Sequence, residues 1–501
     1  MPLSRSRADQ RIAVLADSDT RWKWGALTAR RLAPSDHSRG HRITGYLLRG
    51  RATPTARQLG EVGAGGGGGG TDPAPVEVTC AEFLAELGRE RYDVVVLALV
   101  GGAVQAVLHG ARALWPEPSA RPVFVTGYVG VVYEKLADGL LLRHGADLVL
   151  ANSRHDAERF RAVYAGVGAD PGAVTETALP FLAGAPYAPA GTRTHRVVFA
   201  VQPSVPESRA DRTYLLGRAA GHARLHPDRE VLVKLRSRPG EHTTHLEEHP
   251  YQRLAERLPG GLPPNCRLVY GHMGEVLDTT DLLVTVSSTA ALESLHRGIP
   301  TAVLTDLGIR ESLGNQHFLG SGCLASWNQL DAGLLPQPDP AWLSSHGVPG
   351  ARRSAGPAVA REREPVAPSP TGREPADTGA AGRAQPAAAA PAEAARRERE
   401  PVGAGPYAAA RERLDRLLAQ ERLAPVAPYY TAETAPGYLP GILARQHLAP
   451  DGTPLAGAGR RGAGESAARR WLRGHLREAA RGAYRHGVQR VAPVIRRLGE
   501  L

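Results

Sequence analysis

Short apolar runs recur along the first 330 residues, each ending in a polar corner and most followed by a stretch with helical spacing. Arg11-Ile-Ala-Val-Leu-Ala16 is the first and predicts a strand; it ends in Asp17-Ser-Asp-Thr20, and a helix is expected over 22–32. Residues 43–48 predict a second strand and 76–80 a third, backed by a helix over 81–89. Strands at 93–99 and 122–126 continue the rhythm, and a helix at 140–144 with a strand at 147–150 closes this half. Runs that are apolar throughout, alternating with helices, belong to a parallel sheet covered on both faces.

A stretch rich in Pro, Ala and Gly over 179–194 then resets the pattern. Strands are predicted at 196–201, 230–235, 267–270, 282–286 and 301–304, with a helix over 214–225. The chain therefore divides into an α/β domain at 8–180, a linker at 181–194 and a second α/β domain at 195–350. Both domains are Rossmann-like and face a cleft. One large doubly wound sheet fits less well, because the linker interrupts the rhythm near mid-chain. Residues 351–405 are Ala/Pro/Arg/Glu low complexity, which predicts disorder. The six glycines at 65–70 predict a flexible surface loop. Residues 406–450 regain helical spacing and are expected to cross back and brace the first domain; 451–501 hold a linker and a basic amphipathic helix.

Charge changes this picture little. The chain has 61 basic and 50 acidic residues, a formal net charge of +11. From 466 to the C-terminus nine arginines face only Glu478 and Glu500, so the excess sits largely in that helix. Without an aromatic-basic motif, zinc finger or helix-turn-helix, no nucleic-acid partner is expected. Over 466–492 the arginines recur every fourth residue beside an alanine-heavy apolar face. Two readings stand: a helix on an anionic membrane surface, or a solvated helix enriched in arginine by compositional drift. Cys80, Cys266 and Cys323 are isolated, which fits a reducing cytoplasm and excludes a disulfide framework or cysteine zinc site. The longest apolar run, 94–100, is of strand length. Three of the 61 basic residues are lysines (Lys23, Lys135 and Lys234), leaving 58 arginines, as GC-rich codon usage produces.

The segment Asp281-Leu-Leu-Val-Thr-Val-Ser-Ser-Thr-Ala-Ala-Leu-Glu-Ser-Leu-His-Arg-Gly-Ile-Pro300 carries most chemistry. A buried strand stops at Ser287-Ser288-Thr289, a helix follows, and Gly298 and Pro300 end it. Amides and hydroxyls at a helix start on the C-terminal edge of a parallel sheet favour phosphate. Glu293, one turn in, is placed to accept hydrogen bonds from sugar hydroxyls. The plainer alternative is a βαβ unit whose serines only cap a helix.

This segment resembles the donor-binding signature of glycosyltransferases of the GT-B fold and their polymer-making relatives. Residues 271–280, with His272, resemble the loop and short helix preceding it. Over 11–330 the chain resembles an actinobacterial family of glycosyltransferases, through Asp-Ser-Asp-Thr-Arg-Trp-Lys-Trp (17–24), Tyr133-Glu-Lys135 and Val-Lys-Leu-Arg (233–236). The resemblance implies a GT-B-like pair of domains with Ser287, Ser288 and Thr289 on a donor diphosphate. Glu293 would then hold the ribose or donor sugar, beside His272. It implies a nucleotide-sugar as substrate, no metal and no further cofactor, and a glycan, lipid-linked or small-molecule acceptor.

Within that frame Lys234 and Arg236, at a strand end, are candidates to neutralise donor phosphate; the alternative is a basic pair reaching solvent. Asp17 and Asp19 leave the first strand too early for a metal-binding DxD pair. Asp19 is the candidate base for the acceptor hydroxyl, with Glu134 its rival. Asp17, Trp22 and Lys135 are candidate acceptor contacts, although core packing competes for Trp22. His242 and His245 lack the helix or carboxylates of a metal site. Transfer of a glycerol- or sugar-phosphate unit, and a binding protein without turnover, stay open as alternatives.

Overall fold

The computed structural model describes residues 10–33, 40–50, 52–61, 74–130, 136–238, 241, 247–348, 350 and 405–455. Glu134, Lys135, His242, His245, the glycine run, most of the 351–405 tract and the basic C-terminal helix lie outside them.

The first domain runs β1 (Gln10–Ala16), α1 (Asp19–Leu32), β2 (His41–Leu48), α2 (Ala56–Glu61), β3 (Val76–Val78) and α3 (Cys80–Arg89). It continues through β4 (Val94–Ala98), α4 (Gly101–Leu114), β5 (Val123–Gly127), α5 (Leu136–Leu141), β6 (Leu148–Ala151), α6 (Arg154–Gly166) and β7 (Val174–Glu176). Its strands pair in parallel in the order β3-β2-β1-β4-β5-β6-β7. The register pairs Ile12 with Val94 and Val14 with Val96, and all four are fully buried. That double coverage is why these strands read as unbroken apolar runs.

The second domain repeats the plan with β8 (His195–Ala200), α7 (Arg209–Leu225), β9 (Arg229–Lys234), α8 (Tyr251–Ala255), β10 (Cys266–Val269) and α9 (Met273–Leu277). Then come β11 (Leu282–Thr285), α10 (Ala290–Arg297), β12 (Thr301–Leu304), β13 (Leu324–Ala325), α11 (Trp327–Asp331) and α12 (Pro340–Ser345). Its order, β10-β9-β8-β11-β12-β13, matches the first six strands of the other sheet. In each sheet the strand order reverses between the domain's first and fourth strands in sequence, β1/β4 and β8/β11.

Several elements escaped the sequence pattern, among them the 14-residue helix α4 and the short helices α2, α8, α11 and α12. β7 and β13 have only three and two residues, and α6 alternates charged and apolar positions too irregularly to stand out. Helix α1 begins earlier than predicted because Ser18 caps it, accepting from the Arg21 amide at 3.4 Å. Close packing of α1 on the sheet requires Gly25, where a Cβ would lie 2.7 Å from Val14 Cγ1 and 2.9 Å from Ala98 Cβ.

After the 351–405 tract the chain returns to the first domain as α13 (Ala408–Leu418), which packs on α1, β5, β6 and β7. Tyr407, just before it, is buried and donates to the Ala178 carbonyl at 2.9 Å. α14 (Leu439–Arg445) follows and rests on α4. Among the described residues no helix is long and apolar enough to cross a membrane.

Candidate active site

Ligands of open parallel sheets sit beyond the strands' C-terminal ends where strand order reverses. In the second sheet this point lies between β8 and β11, and Gln202 bridges it: its Oε1 accepts from the Ser287 amide at 3.0 Å. The Ser287 hydroxyl is committed to the Leu313 carbonyl at 2.6 Å, so this buried side chain holds the turn. Ser288 accepts from the Ala290 amide at 3.2 Å and is half-buried. Thr289 makes no capping bond with α10, and its hydroxyl lies 3.1 Å from where a Cβ on Gly130, in the first domain, would stand. Of the three predicted phosphate ligands, Ser288 and Thr289 therefore sit at the open helix start, while Ser287 lies beneath it.

Asp281, the acidic residue opening the signature, is wholly buried. It binds the Arg193 guanidinium at 2.6 and 2.8 Å, the Arg196 amide at 2.9 Å and the Tyr187 hydroxyl at 3.2 Å. It thus locks the linker onto the second sheet. Arg297 does the same from the end of α10, reaching the Ala183 carbonyl at 3.0 Å and Asp278 at 2.6 Å.

In the first sheet the reversal lies between β1 and β4, and Asp17 spans it. Its carboxylate accepts from the Val100 amide at 2.9 Å and pairs with Arg21 at 2.8 Å. Both oxygens have protein partners, which gives Asp17 an organising role at the edge. Arg143 supports the same edge: its buried guanidinium donates to the carbonyls of Gly139 at 2.8 Å, Gly127 at 3.1 Å and Leu99 at 3.2 Å. Of the two readings of Trp22, the structure supports core packing over acceptor contact. Trp22 is 7% exposed, its ring fills the space left by Gly45, and it belongs to the core.

The two edges meet. Arg236, just beyond β9, reaches across to Asp19 at 2.6 Å and also donates to the Thr20 hydroxyl. One turn further along α1, Lys23 stands 3.7 Å from Glu293 of α10 and 4.9 Å from the Phe181 ring. Residues four apart on a helix share a face, so Arg236 and the first turn of α10 both face the first turn of α1. Burial pushes the Glu293 carboxyl above its ordinary pKa, partly opposed by the nearby Lys23. Burial, followed by the charge of Lys23, pushes His272 below the usual imidazole range. A second contact lies further out: Arg57 of α2 binds Glu241 of the second domain and Glu61 at 2.6 Å, while Glu61 accepts from the Gly271 amide at 3.1 Å.

Lys234 lies beside this seam but is turned inward, with Glu61, Arg236 and Arg57 near enough to act on its charge. It is 6% exposed, its ammonium donates to the Leu235 carbonyl at 2.7 Å, and burial pushes its pKa down to about 8. Arg57, Glu61, Glu241 and Gln202 carried no recognisable signal as site residues. Lys23 was marked only by the scarcity of lysine and by its place in the 17–24 motif.

Two Rossmann-like domains whose reversal points oppose each other across a charged seam define the GT-B class. The sequence profile of the family described as "Putative glycosyltransferase (DUF6716)" matches residues 12–362, and the chain belongs to that family. Membership makes it an enzyme of the glycosyltransferase class. No curated protein matches the sequence. Among solved structures, the chain is similar to Staphylococcus aureus MnaA in a co-structure with UDP, at 12% identity and a TM-score of 0.44. That alignment covers 68% of this chain and 91% of the other. It is also similar to the Thermobaculum terrenum O-GlcNAc transferase at 13% identity and a TM-score of 0.36, covering 68% and 66%. The kitacinnamycin glycotransferase aligns at 15% identity and a TM-score of 0.37, covering 65% and 90%.

Proposed function

We propose that the enzyme moves a sugar from a nucleotide-activated donor to an acceptor hydroxyl at the seam between its domains. The carrying observation is the Asp19–Arg236 pair, one helical turn from the contact between Lys23 and Glu293. When a donor enters, its diphosphate takes Asp19's place on Arg236 and lies against the open start of α10, at Ser288 and Thr289. Arg236 and the helix amides then stabilise the charge that grows on the leaving nucleotide, without a metal ion. Release from Arg236 frees the Asp19 carboxylate to take the acceptor's proton. Glu293, withdrawn from Lys23, accepts from a ribose or donor-sugar hydroxyl, with His272 beside it. Glu134 remains the rival base and Lys135 a contact for an acceptor phosphate.

The reading extends to a cytoplasmic enzyme of actinobacterial type whose basic 466–492 segment associates with anionic lipid headgroups near a lipid-linked acceptor. Its most direct test is a thermal-shift panel of UDP, GDP, CMP, CDP and dTDP. A nucleotide that binds the native state raises the melting temperature. One of the five is expected to do so, and combining Ser288→Ala with Glu293→Ala should abolish the shift. A panel in which none raises it, or a shift that survives the double substitution, overturns the assignment.

A further inference from the structure

We propose that His222, His226 and Asp331 bind one divalent transition-metal ion at the edge of the second sheet remote from the cleft. α7 runs back from the C-terminal end of β8 to the start of β9, so its last turn lies at the edge opposite Arg236. His222 and His226 are four residues apart there and share a face, with ring centroids 4.5 Å apart. Asp331, the last residue of α11, is 2.7 Å from His222 Nδ1. One ring nitrogen from each histidine and one carboxylate oxygen lie within 4.8 Å of one another.

Two imidazoles and a carboxylate suit zinc or cobalt(II), with water as fourth ligand, and suit magnesium or calcium poorly. Small side-chain rotations bring the three atoms to metal-ligand distances of about 2.0–2.2 Å. A metal-free account explains part of the cluster. Arg229 stands 3.4 Å from His222 Nε2 and Arg218 pairs with Asp331 Oδ2 at 2.7 Å, forming a chain of hydrogen bonds between α7 and α11. It leaves His226 unexplained, because His226 Nε2 is buried without a hydrogen-bond partner among the described residues. In that chain the His222 proton sits on Nδ1, facing Asp331. Metal binding at Nδ1 moves it to Nε2, the imidazole stays neutral, and the Arg229 guanidinium turns outward. Arg218 keeps Oδ2, leaving Oδ1 for the ion.

The test is titration of tag-free, chelator-stripped full-length protein with cobalt(II), followed by its visible absorption and by displacement with zinc. One cobalt per chain is expected, with the intense spectrum of a four-coordinate ion that zinc removes. His226→Ala and Asp331→Asn, each verified as folded by circular dichroism, should weaken binding by at least about tenfold. Absence of saturable one-to-one binding, or unchanged affinity in both variants, overturns the proposal. The site is separate from the cleft, so the result is independent of which nucleotide the cleft accepts.

Discussion

Asp19 and Lys23 sit one turn apart on α1, and each meets an opposite charge from the second domain. If Asp19 is the base, Asp19→Asn lowers kcat by about 100- to 10,000-fold. Donor KM should not rise, since Arg236 is then no longer neutralised. Measuring nucleotide release under initial-rate conditions separates the two parameters; a higher KM with unchanged kcat would assign Asp19 to binding alone. Lys234 yields a second prediction from its depressed pKa of about 8, against an ordinary 10.5. Between those values the unfolded chain binds more protons, so stability rises with pH there, and the penalty of the buried charge is full below about 8. Lys234→Met should therefore stabilise the protein at pH 7 by on the order of 1–3 kcal/mol, and the gain should shrink towards pH 10. Denaturation series at several pH values would show it, and a gain that does not vary with pH would refute it.

The location of several candidate residues was legible at this scale. Asp19, Arg236, His272, Ser288, Thr289 and Glu293 all stand at or beside the seam, because chain position at the end of a parallel strand or start of a helix already implies a sheet edge. Trp22, Lys234 and Ser287 stood beside these in sequence but turn inward. Which way a residue points at a strand end depends on a rotamer and on neighbours such as Gly45 or Leu313, distant in the chain.

Elements place these residues through close packing. α1 approaches the sheet at Gly25 so tightly that a methyl group there would meet Val14 and Ala98. Gly25→Ala should cost about 1–3 kcal/mol through overpacking and, by lifting α1, weaken nucleotide binding as well. Paired chemical denaturation and thermal-shift measurements test this, and wild-type stability would show that the helix relaxes freely. α13 depends on Tyr407, whose hydroxyl reaches the Ala178 carbonyl. Tyr407→Phe should cost about 1 kcal/mol of stability with no change in donor affinity. The strands of both sheets were readable because burial on both faces makes them uniformly apolar. β7 and β13, of three and two residues, were not. His222 lay in a segment read as a plain helix and His226 just past its end, and their spacing gained meaning only when α11 brought Asp331 beside them.

Across the whole molecule, charge pairs hold the two domains together: Arg236 with Asp19, Lys23 with Glu293, and Arg57 with Glu241. Partly exposed pairs of this kind contribute modestly one by one, but together they bias the cleft towards closure. Replacing both Arg57 and Arg236 by Ala should open it and raise the radius of gyration in small-angle X-ray scattering. Superimposable profiles for variant and wild type would show that the linker and the packing around it set the closure instead.

The sequence alone determined that there are two α/β domains, each on a parallel sheet, and that a helix starts near residue 288 at the end of a strand of the second. Hydrophobic period and cap residues are local properties, carried within ten or twenty residues of chain. Tertiary structure alone decided that Arg236 faces Asp19, that Lys23 faces Glu293, and that Lys234 is buried with its ammonium on the Leu235 carbonyl. These are outcomes of how two separately folded sheets dock, and no local pattern along the chain encodes the meeting of residues more than 200 positions apart.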